Sequence, residues 1–579
     1  MNPTARQFFT RILQNKYFWM AAIAAAGLAA YWNSFEGAFL FDDDMIPEKL
    51  IAPAKDYLVA LVSFGRRLYL FLTFAANREI NGARPFGWHV VNLAIHLAAG
   101  LTLFGICRRT FARHSSQFLQ VQQAALAGII AVLFVVHPLQ TESVTFIWQR
   151  AESMMGLLFL LAMYAIIRGY DSPRRWVWYA LALLTCDLAL ETKPHMATAP
   201  AIFLLYDYAY LSGSLKELWR RNRWLHVSIA VLWIVVFAGT KILNTAGGDV
   251  GTVAVARTTE ALNSGAAAKT ISTWEYARSQ FGVIQHYLWL TFWPDELCLD
   301  YAWPVANSIR DIVLPGIFVA CLVALTLWAC IKHPKWGFWA AWFFLLLAPA
   351  SSIISRPDLC VEHRMYVAIA GIFVLCVAGI AEWLHLRNKG PLWRRLGVVL
   401  LLTVIASFSL RTIRRNQDYY SELGMWGLVV KQRPENGRAW YNLGSAIAAE
   451  GGFEEATDCF REALRVAPGL KLAKYKLGKY CMLVGHAEEA RDIFMALLAD
   501  EPNEALNNYM MGEALLKLRN RPEAVRYFLK AASLEVKPKD IEFYFKNARN
   551  VDPNAGSPMM LKPKKERAFE WHPPKLRLR

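Results

Sequence analysis

YFWMAAIAAAGLAAYW (Tyr17–Trp32) carries no charge and runs directly into NSFEGAFLFDDD (Asn33–Asp44), so the first long apolar segment opens onto three consecutive carboxylates. Arg6, Arg11 and Lys16 precede it. Basic residues ahead of an apolar run predict a helix entering the membrane from the inside. Asp42, Asp43 and Asp44 then fall just beyond the far end of that helix, where the cost of desolvation keeps them at the interface rather than in lipid. Aspartates so placed can serve as general bases or metal ligands, which makes this stretch a candidate reaction centre. The plainer alternative is an acidic loop closing a helix end.

The rest of the chain repeats the apolar theme. Of 579 residues 55% are hydrophobic, with 22 Trp and 33 Phe, which predicts that lipid covers much of the surface. Further spans are expected at about 86–107, 123–136, 151–168, 175–190, 196–211, 224–243, 312–331, 336–354, 365–386 and 396–411, roughly eleven with the first. The segment 280–293 contains Gln285 and His286 and is short for a span, so it reads as interfacial. With that choice the basic loops fall on the inside: Arg108, Arg109 and Arg113, then Arg168, Arg174 and Arg175, then Lys216 to Arg223, Lys332 and Lys335, and Arg387 to Arg395. Topology, not nucleic-acid binding, therefore accounts for the net charge of +17. Of nine cysteines only Cys298 and Cys360, assigned to loops on one side, are candidates to pair.

Apolar content ends near residue 412. Beyond it Pro434, Pro468 and Pro502 recur at the tetratricopeptide (TPR) period, as do Gly444, Gly478 and Gly512, Ala456, Ala490 and Ala524, and Phe460, Phe494 and Phe528. In such arrays Gly and Ala allow close approach of paired helices and Phe fills the space between them. The fold class expected is all-α: a polytopic membrane domain over 1–412, a TPR solenoid over 413–551 and a basic, Pro-rich tail over 552–579. Trp426 and Val429 suggest a half repeat joining the first two.

The mixed polar clusters all fall at the outer ends of spans. They are Asp42 to Asp44; His137 with Glu142, Arg150 and Glu152; Glu191 with Lys193; Asp300 with Tyr301; and Glu362-His363-Arg364. Inner loops are dominated by Arg and Lys, with only scattered acids and histidines such as Asp171, Glu217 and His333, so the outer face reads as the site, with paired charges bracing the bundle as the alternative. His89, Asn92 and His96 lie on one face of the second span and are expected to make interhelical hydrogen bonds. No phosphate loop, HExxH, paired CxxC or nucleophile elbow is present. A transferase on the outer face has no supply of cytoplasmic nucleotide, so its donor must be carried in the bilayer.

These residues resemble the GT-C superfamily of polytopic glycosyltransferases, and within it the transmembrane-and-TPR O-mannosyltransferases and their bacterial relatives. The resemblance runs through Tyr31-Trp32-Asn33 to Asp43, Pro85-Phe86-Gly87-Trp88-His89 to His96, His137-Pro138-Leu139-Gln140-Thr141-Glu142, Arg150-Ala151-Glu152, Pro294 to Tyr301 and Glu362-His363-Arg364-Met365-Tyr366. It departs from the family at Leu68 and Pro194, which follow Arg67 and Lys193. It implies sugar transfer from a polyisoprenyl-phosphate donor to an acceptor, Ser or Thr of a protein engaged by the TPR array, on the periplasmic side of a bacterial inner membrane. Asp43 or Asp42 is then the base of a single, inverting displacement. Arg364, with Arg67, Arg84 and Lys193 behind it, would meet the lipid phosphate. His137, Glu142, Arg150, Glu362, His363, Asp300 and Tyr301 would support them. No cofactor is firmly implied, because three acids without a complete ligand set make a divalent metal a weak expectation. The rival readings are a noncatalytic TPR scaffold, a transferase acting on lipid or glycan, and a transporter. The last would need inverted repeats, which the sequence lacks.

An odd number of spans sends the C-terminal repeats to the same side as Asp43. A reporter active only outside the cytoplasm, fused after Arg579, is expected to score positive; a negative score would make 280–293 a span and separate the two.

Overall fold

The computed structural model describes residues 11–41, 43, 67–246, 271–388, 390–535, 538–553 and 555, and among them no strand occurs. Two compact units divide between Arg433 and Pro434. Residues 413–433, expected with the repeats, therefore group with the membrane unit. The tail from 556, Asp42, Asp44 and Arg66 lie outside the described residues.

In the first unit the helices are α1 (Lys16–Tyr31), α2 (Leu68–Asn81), α3 (Pro85–Ala112), α4 (Gln123–Val136), α5 (Arg150–Asp171), α6 (Arg175–Thr192), α7 (Ala199–Tyr206), α8 (Leu215–Ala246), α9 (Thr273–Phe292), α10 (Ile309–Lys332), α11 (Pro334–Leu347), α12 (Ile369–Leu386), α13 (Pro391–Gln417) and α14 (Glu422–Gln432). Among the described residues five stretches are long and apolar enough to cross a membrane: α3, 147–171, α10, α12 and 395–417. A sixth arises if α4 and the segment Pro138–Val144, bent 57° from it, count as one. Of the eleven spans expected, five or six meet this measure of length and composition among the described residues. Several of the remaining apolar runs form helices that are short, such as α1 with 16 residues and α11 with 14. The run over 196–211 is broken into 3-10, α and π turns. The segment read as interfacial, 280–293, belongs almost entirely to the 20-residue α9.

Helix α4 is the centre of the unit, apolar on all sides and packed against α1, α3, α12 and α13. Small residues permit the close approach: a Cβ on Gly128 would collide with the Trp19 indole, and one on Gly100 with Val135. The polar stripe on α3 is interhelical, as expected. His89 Nε2 donates to Gly37 O at 3.1 Å, Asn92 Nδ2 to Val144 O at 3.2 Å and His96 Nε2 to Val135 O at 3.0 Å.

The two ends of the unit are clasped together. Asn33 Nδ2 donates to Ile413 O (2.8 Å), and Asn416 Nδ2 donates to Ala30 O (3.0 Å) and Asn33 Oδ1 (2.9 Å). Asn416 Oδ1 accepts from the Thr145 hydroxyl at 2.8 Å. The chain then continues over the first loop: Tyr419 O accepts from Ala38 N, and Glu422 Oε1 accepts from Phe41 N at 2.8 Å. Phe41 sits at φ 48°, a costly conformation for a bulky side chain, and its ring rests edge-on against Trp426. These contacts are why residues 413–433 stay with the membrane unit.

The second unit realises the repeat read from the sequence. Its helices are α15 (Gly437–Ala449), α16 (Phe453–Val466), α17 (Lys471–Leu483), α18 (Ala487–Asp500), α19 (Ala505–Lys517), α20 (Arg521–Leu534) and α21 (Pro538–Val551). Ala456, Ala490, Ala524, Phe460, Phe494 and Phe528 are all fully buried. A Cβ on Gly478 would lie 2.8 Å from the Phe494 ring, and one on Gly512 would lie 2.6 Å from Phe528, so the recurring Gly is the space the recurring Phe needs.

Asn416→Leu leaves the Thr145 hydroxyl, Asn33 Oδ1 and Ala30 O without their partner. At about 1–3 kcal/mol for a buried group left unpaired, the expected loss is about 3 kcal/mol. The denaturation midpoint of the detergent-solubilised protein checks it; an unchanged midpoint would mean the clasp carries no stability.

Candidate active site

The site is built around two short turns, Ile147–Gln149 and Glu362–Met365. Asp43, 1% exposed, is fastened to the first: its Oδ1 accepts from Trp148 N at 2.6 Å and its Oδ2 from Leu40 N at 3.1 Å. The next residue of that turn, Gln149, accepts from Lys193 Nζ at 3.2 Å. Lys193 also donates to Glu152 Oε2 at 2.6 Å. Burial lowers the Lys193 pKa, Glu152 raises it, and the charge of nearby Arg67 lowers it further.

Arg150 starts α5 directly after the turn and is fully buried. Nε donates to Asn92 Oδ1 (2.6 Å), and NH2 to Asn77 Oδ1 (2.6 Å) and Trp88 O (3.2 Å). Its guanidinium lies over the Phe74 ring at 4.7 Å and interacts electrostatically with Asp43.

The second turn sends three successive side chains to three partners. Glu362 Oε1 accepts from Tyr301 OH (2.8 Å) and Cys298 N (2.5 Å), while Oε2 lies 3.8 Å from Arg415 NH2. His363 grips Glu142 through its backbone N–H (2.8 Å) and Nδ1 (2.7 Å). Arg364 donates to Leu359 O (2.8 Å), Asp358 O (2.7 Å) and Tyr276 OH (3.3 Å), and shares a small cavity with Glu152. Burial pushes the Glu362 pKa from the usual 4.5 up to about 7, with Arg415 pulling it down and Glu142 pushing it up.

Most residues read from the sequence therefore come together, in roles that differ in detail. Arg364, first choice for a phosphate, is buried and spends its hydrogens on backbone carbonyls of its own loop. Arg67 is exposed just ahead of α2, and Arg84 is exposed at the start of α3. His137 serves the backbone, its Nε2 donating to Thr291 O and its Nδ1 accepting from Leu139 N. Asp300 Oδ1 accepts from Ala302 N at 3.1 Å. Cys298 and Cys360 are free thiols, and the Cys298 Sγ donates to Asp300 O.

Arg415 was not among the residues singled out. It is 5% exposed, and NH1 donates to Asp418 Oδ2 at 2.9 Å. Its Nε and NH2, like Glu362 Oε2, have no hydrogen-bond partner among the described residues. A basic residue continuing the last helix beyond its apolar part was the available signal.

Comparison with known proteins matches the tetratricopeptide repeat model to residues 437–469. Over about three quarters of the chain the relatives are protein O-mannosyl-transferases, in agreement with the resemblance carried by the motifs. Protein O-mannosyl-transferase TMTC3 of Mus musculus is 26% identical over 77% of this chain and 51% of its own length. Tmtc3 of Drosophila melanogaster is 26% identical over 80% and 56%, and human TMTC1 is 24% identical over 77% and 55%. The chain spans about half the length of these relatives.

Because the Glu362 pKa is raised on folding, the folded protein holds a proton that the unfolded chain has already lost. Its contribution to stability is present below about pH 4.5 and is lost as pH rises toward about 7. Glu362→Gln removes that one contribution, so the melting temperature of the variant is expected to fall less than the parent's over this window. Parallel slopes in a pH series of melts would contradict the shift.

Proposed function

We propose that this protein is a membrane glycosyltransferase of GT-C type, moving a sugar from a polyisoprenyl-phosphate donor to Ser or Thr of an extracytoplasmic protein. Mannose is the sugar that the names of its relatives suggest. The observation that carries the reading is the Ile147–Gln149 turn, which joins a buried carboxylate to a partly buried cation: Asp43 accepts from Trp148, and Gln149 accepts from Lys193. An inverting displacement needs both charges. As the acceptor oxygen bonds to the anomeric carbon, its proton passes to Asp43, and the bond from that carbon to the phosphate oxygen breaks. Negative charge then grows on the lipid phosphate, where Lys193, Arg67 and Arg415 stabilise it. Arg364 acts in this reading by holding the 358–364 loop.

A cavity of about 1020 Å³ supports a lipid donor. It lies between α9, α10, α11 and α12, with an almost wholly apolar lining that includes Trp289, Phe292, Phe318, Leu322, Phe343 and Ile372. One of its lining residues, His286, meets Tyr301 edge-on at 5.3 Å, and Tyr301 donates to Glu362. An isoprenoid tail in this cavity would end near the polar turn. The TPR array supplies a groove for extended or helical peptide and so supports a polypeptide acceptor.

The test uses membranes containing the full chain, a polyisoprenyl-phosphate mannose donor, and a protein acceptor scored for sugar on Ser or Thr by mass spectrometry. Asp43→Asn keeps size but cannot take the proton, so the rate per folded molecule is expected to fall by about 100-fold or more, with a lower melting temperature because one backbone N–H loses its acceptor. A full rate in that variant would remove Asp43 as base. Deleting 434–579 should spare transfer to a short Ser/Thr peptide and depress transfer to the whole acceptor. Equal rates on the whole acceptor with and without the array would rule out its role there, and sugar found only on lipid or glycan would remove the protein acceptor.

A further inference from the structure

The middle TPR repeat differs from its neighbours at two positions that face each other. At the register of Cys481 the flanking repeats have Ile447 and Leu515, and at the register of His486 they have Gly452 and Asn520. The third member of the group, Glu489, is common to all three as Glu455, Glu489 and Glu523. Only the middle repeat thus combines thiol, imidazole and carboxylate. Their ligand atoms lie within 4.8 Å of one another, at the end of α17, in the turn, and in the first turn of α18. We propose that Cys481, His486 and Glu489 form a binding site for a zinc-class divalent cation.

Three ligands of this kind suit Zn²⁺ with a fourth position open to water, the imidazole and carboxylate bonding at about 2.0–2.2 Å and the thiolate at about 2.3 Å. Ligand atoms around such an ion stand about 3.3–3.8 Å apart, so the group must contract by roughly an ångström. The two mobile members permit it, because His486 is exposed and Glu489 is half-buried while Cys481 is fixed in the core. The Cys481 thiol hydrogen-bonds to Glu489, and burial pushes its pKa up to about 12. The cation takes the place of that proton: the S–H bond breaks, the proton leaves to solvent and a metal–thiolate bond forms. Arg461 does not close the site. Its Nε and NH2 donate to Glu489 Oε1 (3.2 Å) and Oε2 (2.9 Å), using one lone pair on each oxygen and leaving the other free to ligate. Such an outer partner orients the carboxylate toward the ion. Arg461 too is specific to this place, since its register holds Met495 and Leu529 in the later repeats. Among the described residues no other group of three such side chains meets the same distance criterion.

The full chain in detergent, purified without a polyhistidine tag and stripped with a chelator, is titrated with Co²⁺ and followed by absorption. The parent should develop a thiolate-to-cobalt charge-transfer band that saturates near one equivalent and is bleached by Zn²⁺. Cys481→Ser should abolish the band. His486→Asn and Glu489→Gln should each weaken Co²⁺ binding by about tenfold or more. His486→Asn changes an exposed residue to the type the third repeat already carries, so it tests the site with the fold intact, and a circular-dichroism melt verifies this. Absence of the band in the parent, an equal band in Cys481→Ser, or parental affinity in both other variants overturns the proposal.

Discussion

A guanidinium shut away from water must find acceptors for its hydrogens or the fold forfeits several kcal/mol, and Arg150 is such a group. Its acceptors come from two other helices: Asn77 on α2, and Asn92 and the Trp88 carbonyl on α3. Rings of Phe74 and Trp88 cover its faces. One cation at the start of α5 thus fixes the register of three helices. Asn92, while accepting from Arg150, donates to Val144, which ties down the chain entering the Ile147–Gln149 turn. The positions of Asp43 and Lys193 follow from that turn, so the geometry of the site descends from satisfying one buried charge.

Around it lie further charges removed from water: Glu142 with His363, Glu152 with Lys193, and Glu362 with Arg415. Each acid–base pair is costly to bury and cheaper in company, which explains why the clusters gather instead of being scattered among helix ends. A dry, charged pocket also makes every dipole count for more than it would at the surface. In the function proposed, bracing the bundle and assembling a site are the same arrangement.

How much of this was legible follows from what each feature depends on. The TPR array was readable because its decisive contact, a missing Cβ opposite a Phe ring, recurs at a fixed period. The interhelical role of His89, Asn92 and His96 was readable from helical spacing alone. That Glu142, Glu152, Lys193 and Glu362 share a side was readable from the charge pattern, but their pairing was not. Nothing local in the sequence says that Lys193 will reach Glu152 while Arg364 turns to the carbonyls of its own loop. His137 groups with the site in the sequence because it stands with Glu142 at the outer end of a span, whereas its ring is spent on the Thr291 carbonyl and the Leu139 N–H. Arg415 and Asn416 fall to the repeats in the sequence because they follow the last apolar run. Their partners stand far away along the chain, 380 residues separating Asn33 from Ile413, and no periodicity reports such a contact.

The clasp between Asn33 and Asn416, with Glu422 and Trp426 holding Phe41, also sets an order of events during synthesis. The loop bearing Asp43 is made well before part of the frame that holds it, because Ile413, Asn416 and Glu422 follow their partners by 380 residues or more, at the far end of the membrane unit. Until that last helix is in place the loop lacks part of its frame, although Trp148 and Leu40 already hold the carboxylate. The loop therefore gains its full set of contacts only when the end of the membrane unit closes over its beginning.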